Sequence, residues 1–179
     1  MSATYRQSSK TNQHLLNADP ENILLARGPA NRLTGEMLRD NALAASGLLN
    51  DKIGGPSVYP YQPVGLWKIN GAVYTPDSNA NVYRRGIYTV WKRSVPNPTQ
   101  STFDVGIRTS CITRRQTTNT PLQALITMND PGFVEAARVM GEEMTKAPNT
   151  SIAINEAFRK LTGRKCSPQE LRLLTDLQA

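Results

Sequence analysis

Apolar residues return every third or fourth position in five stretches of this chain, and each stretch starts beside a residue suited to cap a helix. The first follows Thr34, with Leu33 and Leu38 placed for a hydrophobic staple. It runs through Met37, Asn41, Ala44, Ala45 and Leu48 and is expected to end at Gly54-Gly55-Pro56. Thr120-Pro121 opens a short helix through Met128, and Asp130-Pro131 opens a longer one with Phe133, Ala137, Met140 and Met144 on one face. Pro121 and Pro131 sit at the first helical position, where an N–H would have no partner within the helix. Ser151 opens a fourth helix, with Ile154, Ala157, Phe158 and Leu161 inward and Gly163 at its end. The capping box Ser167-Pro168-Gln169-Glu170 precedes Leu171, Leu174 and Leu177.

The pattern is weaker elsewhere. Residues 1–32 are polar and irregular, with one apolar knot at Ile23, Leu24 and Leu25, and read as a segment that packs on a preceding domain. In GLWKINGAVYT, Asn70-Gly71 between two short arms predicts a type I′ hairpin. YRRGIYTVWKRSVP carries two signals. Tyr83, Ile87 and Trp91 have helical spacing, while IYTVW has strand propensity. Helix is preferred, because Arg84/Arg85 and Lys92/Arg93 would then flank one apolar stripe. Residues 97–119 read as a long ordered loop. LRLLTDLQA stops within a helix, so the chain is expected to be one excised domain over residues 1–179. The predicted class is mainly α: an irregular helical domain with long ordered loops and one small β-hairpin.

Charge alters this picture in one place. The chain carries a formal net charge of +7, and residues 84–115 hold seven basic residues against one acid, Asp104. The rest is close to balanced, with 14 basic and 13 acidic residues. Such a segment meets an acidic partner or is neutralised by acids folded against it. Arg84, Arg85, Arg93, Arg114 and Arg115 are therefore the candidate anion or polyanion site, at the entry to the helix begun by Thr120-Pro121. Structural pairing of these arginines with carboxylates is the alternative. Arg39, Asp40 and Asp104 are the candidates for structural ion pairing, with Arg39 and Asp40 on the exposed side of the first helix.

Other chemistry is sparse. One histidine, His14, and two distant cysteines, Cys111 and Cys166, match no zinc, haem or disulfide framework, so neither metal nor cofactor is expected. No nucleophile elbow occurs, and no catalytic residue is assigned. No zinc finger, RNP1, KH loop or basic zipper points to nucleic acid. No apolar run approaches a membrane span. Trp67, Trp91 and five tyrosines in the middle third suit either a core or ring stacking on sugars or bases.

Taken in order, several segments resemble one family: SATYRQSS, LLARGPANRL, LRDNALAASGLL, IGGPSVYPYQPVGLW, YRRGIYTVWKRSVPNP, RRQTTNTPLQALITMNDPGFVEAAR and SPQEL. The family is the planctomycete-type C-terminal domain of unknown function, number 1553 of that series. Between Trp67 and Tyr83 the chain is shorter and more polar than the family pattern. The resemblance implies the C-terminal part of a large periplasmic or secreted bacterial protein. It also implies a companion domain on the N-terminal side and, often, a cytochrome c-like domain and neighbouring polysaccharide-use functions. The expected role is an accessory module that packs on its companion and contacts acidic or sulfated glycan. Two alternatives stand beside it: part of a polysaccharide-acting enzyme completed by the N-terminal domain, and a docking module for a cytochrome c-like partner.

Overall fold

The computed structural model describes residues 2–106 and 108–178, apart from the side chains of residues 69 and 70. The chain forms two compact units, residues 1–32 and residues 33–179. In the smaller unit, a 3-10 turn at Thr4–Arg6 is followed by α1 (Gln13–Ala18), whose Asn12 cap accepts the Leu15 N–H. Asp19, only 8% exposed, accepts the N–H groups of Ile23 and Leu24, each at 2.8 Å. The Leu24 bond outweighs the cost of burial, and Ile23 and the charge of Arg27 add to it, so the carboxyl lies below its usual range. The segment is thus locally ordered where irregular chain is expected.

The larger unit is built around α2 (Gly35–Ser46), capped by Thr34, which accepts the Met37 N–H at 3.3 Å. This helix ends earlier than predicted. Gly47 takes φ 79°, and its N–H closes onto the carbonyls of Ala44 and Leu43. Five more helices follow: α3 (Pro98–Thr102), α4 (Pro121–Asn129), α5 (Pro131–Met144), α6 (Thr150–Thr162) and α7 (Pro168–Asp176). α3 interrupts the expected loop over residues 97–119, and Asn97 caps it by accepting the Gln100 N–H at 3.1 Å. α6 is capped by Asn149 rather than Ser151, through the Ile152 N–H at 2.9 Å.

α2 packs on α3, α5 and α6, while α7 packs on α6. The core is made by Leu43 and Ala45 of α2, Ala136 of α5, Ala153 and Ile154 of α6, and Val58, Phe103 and Val105. Among the described residues no helix is long and apolar enough to cross a membrane.

Neither the expected hairpin nor the helix preferred over residues 83–94 forms. Leu66–Asn70 is a 3-10 turn, and Gly71 (φ 65°) closes it with an N–H bond to the Lys68 carbonyl at 2.9 Å. The arms fold inward instead of pairing: Trp67 packs edge-on against Tyr59 and Tyr74, which are tilted to each other, with centroids 4.9–6.3 Å apart. Residues 83–94 form neither one helix nor one strand. Turns at Ala80–Tyr83 and Gly86–Tyr88 alternate with single parallel bridges, Asn50 to Arg84 and Val58 to Thr89. Tertiary hydrogen bonds to residues 50–58 override the helical spacing of Tyr83, Ile87 and Trp91.

Candidate functional site

The five candidate arginines do not form one open site. Arg84 is 2% exposed. Its guanidinium donates to the carbonyls of Pro56 (2.9 Å), Lys52 (3.1 Å) and Gly54, and stacks on Tyr88 at 3.9 Å. It clamps the loop over residues 52–56 and has no face for an anion, which corrects its assignment. Arg85 donates from Nε to Asp40 at 3.1 Å, and Arg115 grips both oxygens of Glu36 at 3.0 and 2.8 Å. Glu36 and Asp40 stand one turn apart on α2, so the two arginines lie along one helix face, each matched by a carboxylate. Burial disfavours the Glu36 anion, but the Arg115 hydrogen bond and charge, with nearby N–H and Thr34 donors, leave its pKa lowered. Arg93 and Arg114 are exposed. Lys92 and Arg108 lie over the rings of Trp67 and Trp91 at 4.5 and 5.2 Å.

The ion-pairing trio is also rearranged. Asp40 pairs with Arg85 of the basic segment and also accepts the Gly86 N–H at 2.6 Å. Asp104 (φ 60°) holds no arginine; it accepts the N–H (2.7 Å) and the hydroxyl (2.8 Å) of Thr118. Those bonds fix the approach to α4, whose buried Gln123 donates to the Thr102 carbonyl at 2.8 Å. Arg39 is not on an exposed face. It donates to the Val82 carbonyl and lines a cavity of about 320 Å³.

That cavity is the candidate site. α2 supplies Arg39, Ala42 and Leu43, and the entry to α5 supplies Asp130, Pro131, Gly132 and Phe133. The loops add Pro60, Tyr61, Asp77, Ser78 and Thr89. Burial lowers the Arg39 pKa, and the charges of Asp130 and then Asp40 oppose that, so it stays a cation. A Cβ at Gly132 would crowd Asp130 Oδ1 at 3.1 Å and meet Arg39 Nη1 at an ordinary 3.5 Å. Asp130 accepts the Gly132 N–H (2.9 Å) and the Thr99 hydroxyl (2.6 Å), so the α5 cap is also a cavity wall. Asp77 accepts the Tyr59 N–H at 2.8 Å, and Glu135 accepts the Tyr83 hydroxyl at 2.7 Å. The Glu135 bond raises the Tyr83 pKa, with burial adding to it. Two lining side chains keep buried polar atoms without a partner: Arg39 Nε and Thr89 Oγ1. A buried donor left unpaired is costly unless a ligand or water completes it.

The sequence places Arg39 on the exposed side of the first helix, and the structure corrects this. It stands four positions from Gly35 and four from Leu43, both buried, on the inward face of α2. Asp77, Thr89, Thr99 and Glu135 come from four separate segments, and no local signal joins them. Among the described residues no group of three His, Cys, Asp or Glu is placed to hold a metal, and Cys111 and Cys166 are free thiols.

The domain class set by this architecture is a mainly α module with a largely apolar cavity that carries a few charged side chains. The chain belongs to the PSD1 family: its model, described as a protein of unknown function (DUF1553), matches residues 1–178. No curated protein and no solved structure matches the chain.

Proposed function

We propose that this domain is a carbohydrate-recognition module that takes one or two sugar units in the Arg39 cavity. The observation that carries this reading is the lining. Tyr61, Phe133 and three prolines provide apolar surface, while Asp77, Asp130, Glu135 and Thr89 provide acceptors around Arg39. A sugar has the matching chemistry, with apolar C–H faces and a rim of hydroxyl donors. The volume, about 320 Å³, falls at the small end of ordinary ligand sites. Arg39 Nε and Thr89 Oγ1, on two of the lining side chains, have no hydrogen-bond partner among the described residues. In this reading the domain acts as an accessory module beside a companion domain of a larger extracytoplasmic protein, the setting implied by the family resemblance. The acidic or sulfated glycan expected from the arginine segment has weaker support, because Arg84, Arg85 and Arg115 already have internal partners.

Calorimetric titration of the chain with a panel of disaccharides tests the proposal. Ser78 is exposed and lines the cavity, so Ser78→Trp obstructs it without disturbing the core. Saccharide binding that Ser78→Trp abolishes is the expected result. A wild-type chain that binds none of the panel, or a variant that binds equally well, overturns it.

A further inference from the structure

Resting on that reading, we infer that the preferred sugar carries a free amine: the cavity selects a hexosamine unit over its N-acetylated and uronic-acid counterparts. Three carboxylates line the cavity, Asp77, Asp130 and Glu135, against one guanidinium, that of Arg39. The lining is therefore formally two negative charges in excess. The hydrogen-bond donors on these carboxylates are neutral: the Tyr59 N–H on Asp77, the Gly132 N–H and Thr99 hydroxyl on Asp130, and the Tyr83 hydroxyl on Glu135. Arg39 lies close enough to Asp130 for that carboxylate to be the leading charge opposing its loss of a proton. That leaves Asp77 and Glu135 to face a ligand.

An ammonium group would restore charge balance in a partly enclosed site, where attraction is stronger than at a fully exposed surface. A carboxylate on the ligand would meet the same surplus as repulsion. Tyr61, Phe133 and the lining prolines leave most of the wall apolar, and a bare amine covers none of it, so it is the poorer match. An amino sugar offers both features.

The test is titration of the full 179-residue chain at low ionic strength with three disaccharides of one linkage: deacetylated glucosamine, N-acetylglucosamine, and a glucuronic-acid-containing pair. The amine form should bind at least tenfold tighter than the acetylated form, and the uronate weakest. Added salt should shrink the amine advantage several-fold. Glu135→Gln, which retains an acceptor for Tyr83, and Asp77→Asn should each reduce the ratio of amine to acetylated affinity. Glu142→Gln, on the exposed pair with Arg138, should not. Equal affinity for all three sugars, or a preference for the uronate, overturns the inference while leaving carbohydrate recognition standing. Absence of any binding overturns both. Should the substitutions unfold the chain, the wild-type ratio and its salt dependence still decide the matter.

Discussion

Arg114 and Arg115 are adjacent and chemically identical, yet the fold gives them different work. Arg114 is exposed, whereas Arg115 holds both oxygens of Glu36, whose side chain is 14% exposed. Arg114→Ala should leave stability within about 0.5 kcal/mol. Arg115→Ala should lower it by roughly 0.5–1 kcal/mol, since its own side chain remains 42% exposed and screened. Urea unfolding of both variants checks this difference. Arg84 should matter more. Its fork reaches three carbonyls from a buried position, so Arg84→Ala should cost about 2–3 kcal/mol. Arg84→Lys should recover only part of that, because a point-charge ammonium cannot span three acceptors. The same unfolding measurement decides it; a fully rescued lysine variant would show that charge alone suffices.

At the level of elements, close approach and capping dominate. Gly86 sits against α2, and a Cβ there would lie 3.0 Å from both Cα and the carbonyl of Glu36. Gly86→Ala should therefore destabilise by about 1–3 kcal/mol through forced separation of backbone from backbone. It should also weaken the Gly86 N–H bond to Asp40. A midpoint unchanged in denaturant would contradict that packing. α7 gives a pH prediction. Arg164 first, then the Ser167 N–H and hydroxyl, hold the Glu170 carboxyl down to about 2 from its ordinary 4.5. Because the folded value is depressed, its contribution is full above about 4.5 and is lost as pH falls toward 2. Glu170→Gln should accordingly be less stable than wild type at neutral pH, and the gap in melting temperature should close across that window. A gap that persists at pH about 2 would mean the carboxylate charge is not its source.

For the whole molecule, the responses of thermal unfolding to saccharide and to chelator are the measurable quantities. A saccharide at about 100 times its Kd should add about 2.7 kcal/mol to unfolding free energy, seen as a rise in melting temperature that Ser78→Trp eliminates. Chelator should leave the wild-type transition unchanged, since neither unit offers a metal cluster among its described residues. A melting temperature lowered by chelator would require a bound ion.

The sequence by itself determined the helices whose ends are written in local chemistry. Thr34, Thr120-Pro121, Asp130-Pro131 and the Ser167 to Glu170 box act on N–H groups within four residues, so their effect needs no distant partner. Membership of the family was likewise readable from the order of its motifs. Tertiary structure decided what depends on separations of tens of residues. Arg84 finds carbonyls about thirty positions away, and Arg115 finds Glu36 79 positions away. Residues 83–94 exchange helical spacing for bridges to Asn50 and Val58, and Asn70-Gly71 closes a 3-10 turn because three aromatic rings draw its arms inward. The cavity is the furthest from local rules. Its charge balance comes from Arg39, Asp77, Asp130 and Glu135, brought together only when α2, α5 and the loops between them pack.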